Sequence, residues 1–201
     1  PGFPFITSGI DLAKLDMRSG LERLAYAIVI ILVATVTAWI MALLFHLKPM
    51  DFPPLHLSAG THLLLRLITS FGGFSIMFNS PRSIAAAAAF IGAIANTLRL
   101  ELVDFVAIPP AAAAFIGALT AGILASLLKN KLGYPRISIT VPAIVIMVPG
   151  LYLYKAVYNL GIMSLTTSAS WFASAMLIIL ALPLGLIFAR IITDKSFRYC
   201  T

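Results

Sequence analysis

The chain has 201 residues, a net charge of +7, 61% hydrophobic residues and only 10% charged residues, with a mean hydropathy of +1.03. Soluble domains carry about 25% charged residues to cover a water-facing surface. This composition therefore excludes a soluble enzyme and predicts an all-α, polytopic membrane protein. The basic residues are scattered between apolar runs and are not interleaved with aromatic residues, so a nucleic-acid partner is excluded too.

Segments A and B are the first two predicted spans. Residues 1–23 carry charges of both signs and precede segment A, residues 24–45, an apolar run of about the 20 residues that a helix needs to cross a bilayer. A proline-bearing connection leads to segment B, residues 61–78, whose only charge is Arg66. Because Arg66 is about 9 Å inside the segment, we expect its stem to carry the guanidinium back to the headgroups rather than to bind a substrate carboxylate.

Segment C, residues 83–98, is rich in alanine and begins after the turn Asn79-Ser80-Pro81-Arg82. Asn96 is a polar amide inside it, which either touches a substrate or forms an interhelical hydrogen bond. We expect a solvated break after this segment, at Arg99, Glu101 and Asp104. That reading leaves no carboxylate inside any predicted span.

Segments D, E and F complete a set of about six spans. Segment D, residues 109–128, has small residues at four-residue spacing, which favours close helix packing. Segment E, residues 137–154, contains Pro142 and the pair Pro149-Gly150, which remove backbone donors and predict an interrupted helix. Segment F covers residues 171–192 and is followed by a basic tail.

The basic residues indicate which connections face the cytoplasm. Alternating connections assign ten of them to one side: Lys14, Arg18, Arg23, Arg82, Lys129, Lys131, Arg136, Arg190, Lys195 and Arg198. The other side keeps Lys48, Arg99 and Lys155. We therefore expect a multi-pass inner-membrane protein with both ends of the chain in the cytoplasm.

An offset of 148 residues relates the two ends of the sequence. It places Pro1-Gly2 on Pro149-Gly150, and residues 30–32 on residues 178–180, without a gap. If segment A corresponds to segment F, one repeat holds five helices, and the odd number forces the two copies into opposite orientations. The expected division is residues 1–60, the end of a first repeat, and residues 61–201, a second repeat. The rest of the first repeat, expected to hold four more helices, would lie in the same protein or in a partner chain.

Several short motifs resemble those of the threonine/serine exporter family. Over residues 61–195 they are Asn79-Ser80-Pro81-Arg82, Tyr134-Pro135-Arg136, Val141-Pro142-Ala143-Ile144, Val148-Pro149-Gly150 and Tyr154-Lys155-Ala156. Pro1-Gly2, Asp11-Leu12, Asp16, Ser19-Gly20 and Arg23 are similar to the end of its first membrane domain. The resemblance implies ten helices in two repeats and proton-linked antiport of threonine and serine. A two-chain relative of the same architecture is associated with export of dicarboxylates such as succinate, so the substrate stays open.

We expect the substrate site to lie around the interrupted segment E, since half-helix ends supply backbone dipoles to a solute. Its predicted residues are Pro149, Gly150, Pro142, Asn79, Arg82, Asn96 and Tyr154. We favour a functional break over a plain packing kink at Pro149-Gly150, because a matching pair starts the chain, whereas for Pro142 function and packing are equally supported. Asp11 and Asp16 are candidate proton-coupling groups, with an exposed amphipathic segment as the alternative.

Other classes of function have weaker support. A membrane enzyme would need a nucleophile with its base, or a metal set, and neither is evident. His46, His56 and His62 lack a helical ligand spacing, and the single Cys200 offers no thiolate pair, so no metal and no cofactor is predicted. A passive channel or an assembly subunit remains a rival to a carrier, and it would show no saturable counterflow.

Overall fold

The computed structural model describes residues 2–47, 59–70 and 79–194. In these ranges the chain forms eight α-helices, one 3-10 turn and no strand. The helices are α1 Gly2–Ala13, α2 Met17–Leu44, α3 Ala59–Ser70, α4 Arg82–Asp104, α5 Pro110–Leu132, α6 Arg136–Ile144, α7 Gly150–Gly161 and α8 Leu165–Thr193. The 3-10 turn, Val145–Met147, lies between α6 and α7.

In the part of the chain that the structure describes, five helical stretches are long and apolar enough to cross a membrane: α2, α4, Pro110–Lys129 of α5, the stretch Arg136–Gly161 and α8. They confirm the all-helical, polytopic fold class. The sixth predicted span, segment B, corresponds to α3, which is described over 12 residues. Residues 71–78 of that prediction lie outside the described residues.

Prolines begin three helices of the second half of the chain. Pro81, Pro109 and Pro135 are the N-cap residues of α4, α5 and α6, each with φ near −55°. Proline is favourable there because the first helical N–H groups have no intrahelical acceptor and the ring fixes a suitable φ. At the other end of α5, Gly133 has φ +69° and ends the helix in the left-handed conformation that glycine tolerates best.

The predicted interruption of segment E is confirmed. α6 ends at Ile144, the 3-10 turn follows, Val148 is extended, and α7 begins at Gly150 after its N-cap Pro149. Proline at position 149 has no N–H, so it cannot continue the hydrogen-bond ladder of α6. Pro142 lies inside α6, two residues before its end, and is buried.

Close backbone approach holds the central helices together. A Cβ on Gly185 of α8 would lie 2.5 Å from Phe115 O of α5, and one on Gly92 of α4 would lie 2.9 Å from Ala143 O of α6. Side chains cannot be accommodated at such distances, so these glycines allow the helix pairs to pack against each other. The buried core between α4, α5, α6 and α8 consists mainly of alanine and isoleucine.

Two helical hairpins of the fold have the same dimensions. Residues 14–16 join α1 to α2, and residues 162–164 join α7 to α8. At an offset of 148 residues, the bounds of α1 coincide with those of α7, and the start of α2 coincides with the start of α8. Leu15 and Met163, which are equivalent at this offset, both have positive φ, 64° and 60°. The offset found in the sequence therefore also relates the two backbones.

Each hairpin is closed by a buried hydrogen bond between equivalent positions. The Ser8 hydroxyl donates to Gly20 O at 2.9 Å, and the Ser168 hydroxyl donates to Ala156 O at 2.7 Å, so donor and acceptor positions are exchanged. The hairpins also share one apolar cluster, which contains three equivalent pairs: Phe5 with Leu153, Ala27 with Ala175, and Ile31 with Ile179. Equivalent residues thus meet where the two hairpins pack together.

Candidate functional site

The break between α6 and α7 lies against the first residue of α1. A Cβ on Gly2 would lie 2.9 Å from Val148 Cγ2 and 3.2 Å from Val145 Cγ1. Gly2 of α1 and the start of α7 therefore both lie at the break. The first N–H groups of α7 have no intrahelical partners, and the positive end of its dipole lies there, so the arrangement favours an anionic group. Among the described residues, no atom lies within 4 Å of a Cβ on Gly150, which leaves space at the start of α7.

Helix α4 forms one wall beside the break. Met147 of the 3-10 turn approaches α5 at Gly117, where α4 contributes Ala95 O and the Cβ of Arg99. Asn96 is 4% exposed, and its Oδ1 accepts a hydrogen bond from Arg99 Nε at 3.1 Å. This bond of Asn96 lies within α4 rather than between helices. A buried amide and a guanidinium thus lie beside the broken helix.

Aromatic side chains line α7 just beyond the break. Tyr152 packs edge-on against Trp171 of α8, with ring centroids 5.2 Å apart, and the Lys155 ammonium lies 4.6 Å from the Trp171 ring. Tyr154 lies on a different side of α7, where its ring is 6.3 Å from that of Tyr158. The structure therefore brings Tyr152 to Trp171, whereas the predicted site residue Tyr154 stacks along its own helix.

The predicted site residues fall into two groups. Pro142, Pro149, Gly150 and Asn96 belong to the helices around the break, and Tyr154 follows one turn later. Asn79 and Arg82 are exposed and lie at the start of α4, about 21 Å along this helix from Asn96. Asn79 has φ +53°, which suits the turn before α4. The structure thus does not bring these two residues to the break.

The two candidate coupling carboxylates lie together in the α1–α2 turn. Asp11 accepts a hydrogen bond from the Ser19 hydroxyl at 3.0 Å and pairs with Arg23 at 3.1 Å, and its side chain is 17% exposed. Asp16 is the N-cap of α2 and accepts a hydrogen bond from Ser19 N at 3.3 Å. Both therefore have partners that stabilise the turn.

The expected break at the end of segment C was wrong. Helix α4 continues through Arg99 and Glu101 to Asp104, and this candidate span contains carboxylates. Arg66 of α3 pairs with Glu101 at 2.8 Å and with Asp104, and its side chain is 12% exposed. Two carboxylates on α4 thus hold the guanidinium between α3 and α4, and its position relative to the headgroups stays a prediction.

A contact that the sequence analysis missed joins α2 to α7. The ring of Trp39 lies so close to Gly161 that no Cβ fits between them, and Trp39 Nε1 is buried with no hydrogen-bond partner among the described residues. In the sequence, the feature that could have indicated this contact is the 148-residue offset, which makes Trp39 equivalent to Ile187 and Gly161 equivalent to Ala13. The offset predicts that equivalent positions are in contact, but it does not predict which of the contacts contains a large aromatic ring.

No group of three potential ligands among the described residues could hold a metal ion. His46 and His62 lie in separate parts of the described chain, and His56 lies outside it. The features that stand out are the long apolar helices and the broken helix with α1 packed against the break. Together they define a polytopic helical membrane protein with the broken-helix arrangement of solute transporters.

Comparison with known families makes this assignment specific. Residues 62–192 match the family described as Threonine/Serine exporter, ThrE, and residues 1–46 match the family described as Putative threonine/serine exporter. The chain therefore belongs to the threonine/serine exporter family, which confirms the resemblance seen in its motifs. Membership supports an amino-acid exporter and favours a transporter over an enzyme. No curated protein and no solved structure matches the chain.

Proposed function

We propose that the chain forms the second repeat and the end of the first in a secondary transporter that exports threonine and serine in exchange for protons. The observation that carries the proposal is the start of α7 at Gly150, in the middle of a broken membrane helix and beside Gly2 of α1. A helix dipole that starts inside the membrane can hold a substrate carboxylate without a buried countercharge. The family match supplies the class of solute.

The directions of the helices support an inverted repeat. α1 and α2 form a tight hairpin and so run in opposite directions. α1 and α8 run in the same direction, because Gly9 packs against Pro183 and, further along the chain from both residues, Lys14 and Arg190 line one cavity. α2 and α8 are therefore antiparallel, although the 148-residue offset makes them equivalent. This is the relation expected between two repeats of five helices inserted in opposite orientations.

Proton coupling requires a group that can change its charge during the cycle. Of the two predicted carboxylates, we assign the role to Asp11, because its side chain is mostly buried and pairs with Arg23 between the helices of a hairpin. Asp16 is exposed and caps α2. Glu101 in α4 is a further candidate, since it is paired with Arg66 near one end of a candidate span.

The first test is counterflow of labelled threonine, serine and succinate in proteoliposomes of the intact protein. The variant to compare with wild type is Pro149→Ala with Gly150→Ala. Because nothing lies within 4 Å of a Cβ on Gly150, this methyl group meets no steric obstacle, and a loss of transport would report on the break itself. Pro109→Ala with Gly60→Ala is the matched control, since Pro109 starts α5 away from the break and Gly60 is also unobstructed.

The outcomes separate the candidate functions. Saturable threonine and serine exchange that the break variant loses and the control keeps would support the proposal. Exchange of succinate alone would assign the protein to dicarboxylates, the alternative substrate class. Flux without counterflow would favour a channel, and absence of any flux at normal yield would refute the transport function for these solutes.

A further inference from the structure

A cavity of about 510 Å³ opens at the end of the molecule where α1 and α8 finish and α6 begins. Its charged lining consists of four basic residues and one carboxylate: Lys14, Lys129, Arg136, Arg190 and Asp194. These side chains come from α1, α5, α6, α8 and the residue after α8. Segments that are distant in the sequence therefore bring an excess of positive charge to one place.

The cavity reaches from this charged rim toward the break. Ile10, Thr140 and Leu186 line its wall, and Thr140 is 4% exposed. Thr140 lies about 7 Å along α6 from Val145, where the 3-10 turn begins. α1 and α6 form two sides of the cavity; Gly2 of α1 lies at the break, and α6 ends there. A solute entering here would thus be directed toward the start of α7.

Hydrogen bonds hold the basic side chains at the opening of the cavity in place. Arg136 donates to Thr193 Oγ1 at 2.8 Å and to Gly122 O, which fixes the guanidinium between α5 and α8. Arg190 lies 3.9 Å from Asp194 in the next turn. Lys14 is exposed at the end of α1. One carboxylate among four cations leaves positive charge uncompensated, so the cavity favours an anionic group.

Two of the charges at the cavity have no counterpart at the equivalent positions of α2 and α7. At the 148-residue offset, Ile162 corresponds to Lys14, and Ala42 corresponds to Arg190. Near those positions the ring of Trp39 packs against Gly161. The charge of Lys14 and Arg190 is therefore a difference that side chains create between positions with equivalent backbones.

We propose that this cavity is the cytoplasmic entrance of the transporter and that it binds the carboxylate of the exported solute through Lys14, Arg190 and Arg136. The proposal rests on the proposed function, because it requires a solute that enters from the side with the basic connections. The same anion chemistry could be supplied by a phospholipid headgroup. We assign the cavity to the solute because its wall continues along α1 and α6 to the break.

The test uses uptake into inside-out and right-side-out membrane vesicles that contain the intact protein. The variant is Lys14→Gln with Arg190→Gln, and the matched control is Arg18→Gln, a basic residue in the first turn of α2 whose side chain is 91% exposed. Removing two charges near a bound carboxylate should raise KM about tenfold in inside-out vesicles. Because a substitution cannot change the overall free energy of transport, kcat/KM must fall by the same factor in both directions. In inside-out vesicles kcat should stay within about twofold of wild type, whereas right-side-out vesicles should show a lower kcat with KM within about twofold of wild type.

Ionic strength gives an independent readout. The Debye length falls from about 30 Å at 0.01 M to about 3 Å at 1 M, so the wild-type KM in inside-out vesicles should rise with salt more steeply than that of the double variant. Should the double variant give low yield, Lys14→Gln alone, at an exposed helix end, should still raise KM by a few fold. Unchanged KM in inside-out vesicles, or an equal rise of KM on both sides of the membrane, would overturn the proposal.

Proteoliposomes distinguish the two sources of the anion. If an anionic headgroup occupies the cavity, wild-type rates should depend on added phosphatidylglycerol, and the double variant should lose this dependence with an unchanged KM. That result would overturn the assignment to the solute. If wild type transports none of the solutes, the proposed function fails and this inference fails with it; if wild type transports and KM is unchanged, only the inference fails.

Discussion

Exchanging Gly122 of α5 and Ala189 of α8, which face each other in one helix contact, should test how closely α5 and α8 are packed. A Cβ on Gly122 would lie less than 3.0 Å from the Cβ of Ala189, whereas ordinary van der Waals contact begins at 3.4 Å. Gly122→Ala should therefore push the helices apart, at a cost of about 1–3 kcal/mol for overpacking. The gain of about 1 kcal/mol in helix propensity offsets part of this cost. Arg136, which donates to Gly122 O, would shift with the helix.

The reciprocal change supplies the control. Ala189→Gly removes the obstructing atom and should cost about 1 kcal/mol in helix propensity. In the double variant Gly122→Ala, Ala189→Gly the two propensity changes cancel, and the new methyl group finds Leu186 Cδ2 at 3.4 Å, an ordinary contact. Thermal unfolding of the purified protein in detergent should give a coupling energy of about 2 kcal/mol. A double variant no more stable than Gly122→Ala alone would refute the reasoning.

Three further changes test other contacts. Gly92→Ala should slow counterflow at normal yield, because its Cβ would lie 2.9 Å from Ala143 O and displace α6 near the break. Arg66→Gln should lower the free energy of unfolding by about 2 kcal/mol, because it leaves the Glu101 carboxylate without this partner. The double variant Arg66→Gln, Glu101→Gln should recover part of that loss, and no recovery would contradict the pairing. Ser168→Ala should cost about 1 kcal/mol of unfolding free energy for a lost buried hydrogen bond, and a cost near zero would contradict that bond.

The spans and the break were predictable because each rests on local chemistry. Runs of apolar residues define the membrane helices whatever they pack against, and a proline followed by glycine interrupts a helix whatever surrounds it. The starts of α4 and α5 follow Pro81 and Pro109 for the same reason. These features require no knowledge of contacts between distant residues.

The site could be predicted only in part, because its members are brought together by packing. Asn79 and Arg82 belong to a motif that resembles the family, yet they lie a helix length away from the break. Arg99 and Glu101 suggested a solvated break because charges usually end a span. The sequence could not reveal that Arg66, on another helix, would pair with Glu101 and allow α4 to continue.

The cavity shows why topology and function can use the same residues. Lys14, Arg136 and Arg190 counted only as indicators of the cytoplasmic side when they were considered separately. Packing of α1 and α5 against α8, and of α6 against α5, brings them around one opening, where their fields add. The gradients across the membrane set the direction of net transport, so a difference between the two ends of the fold can change only the affinity and the rate on each side. Lys14 and Arg190, whose equivalents at the 148-residue offset are Ile162 and Ala42, are such a difference.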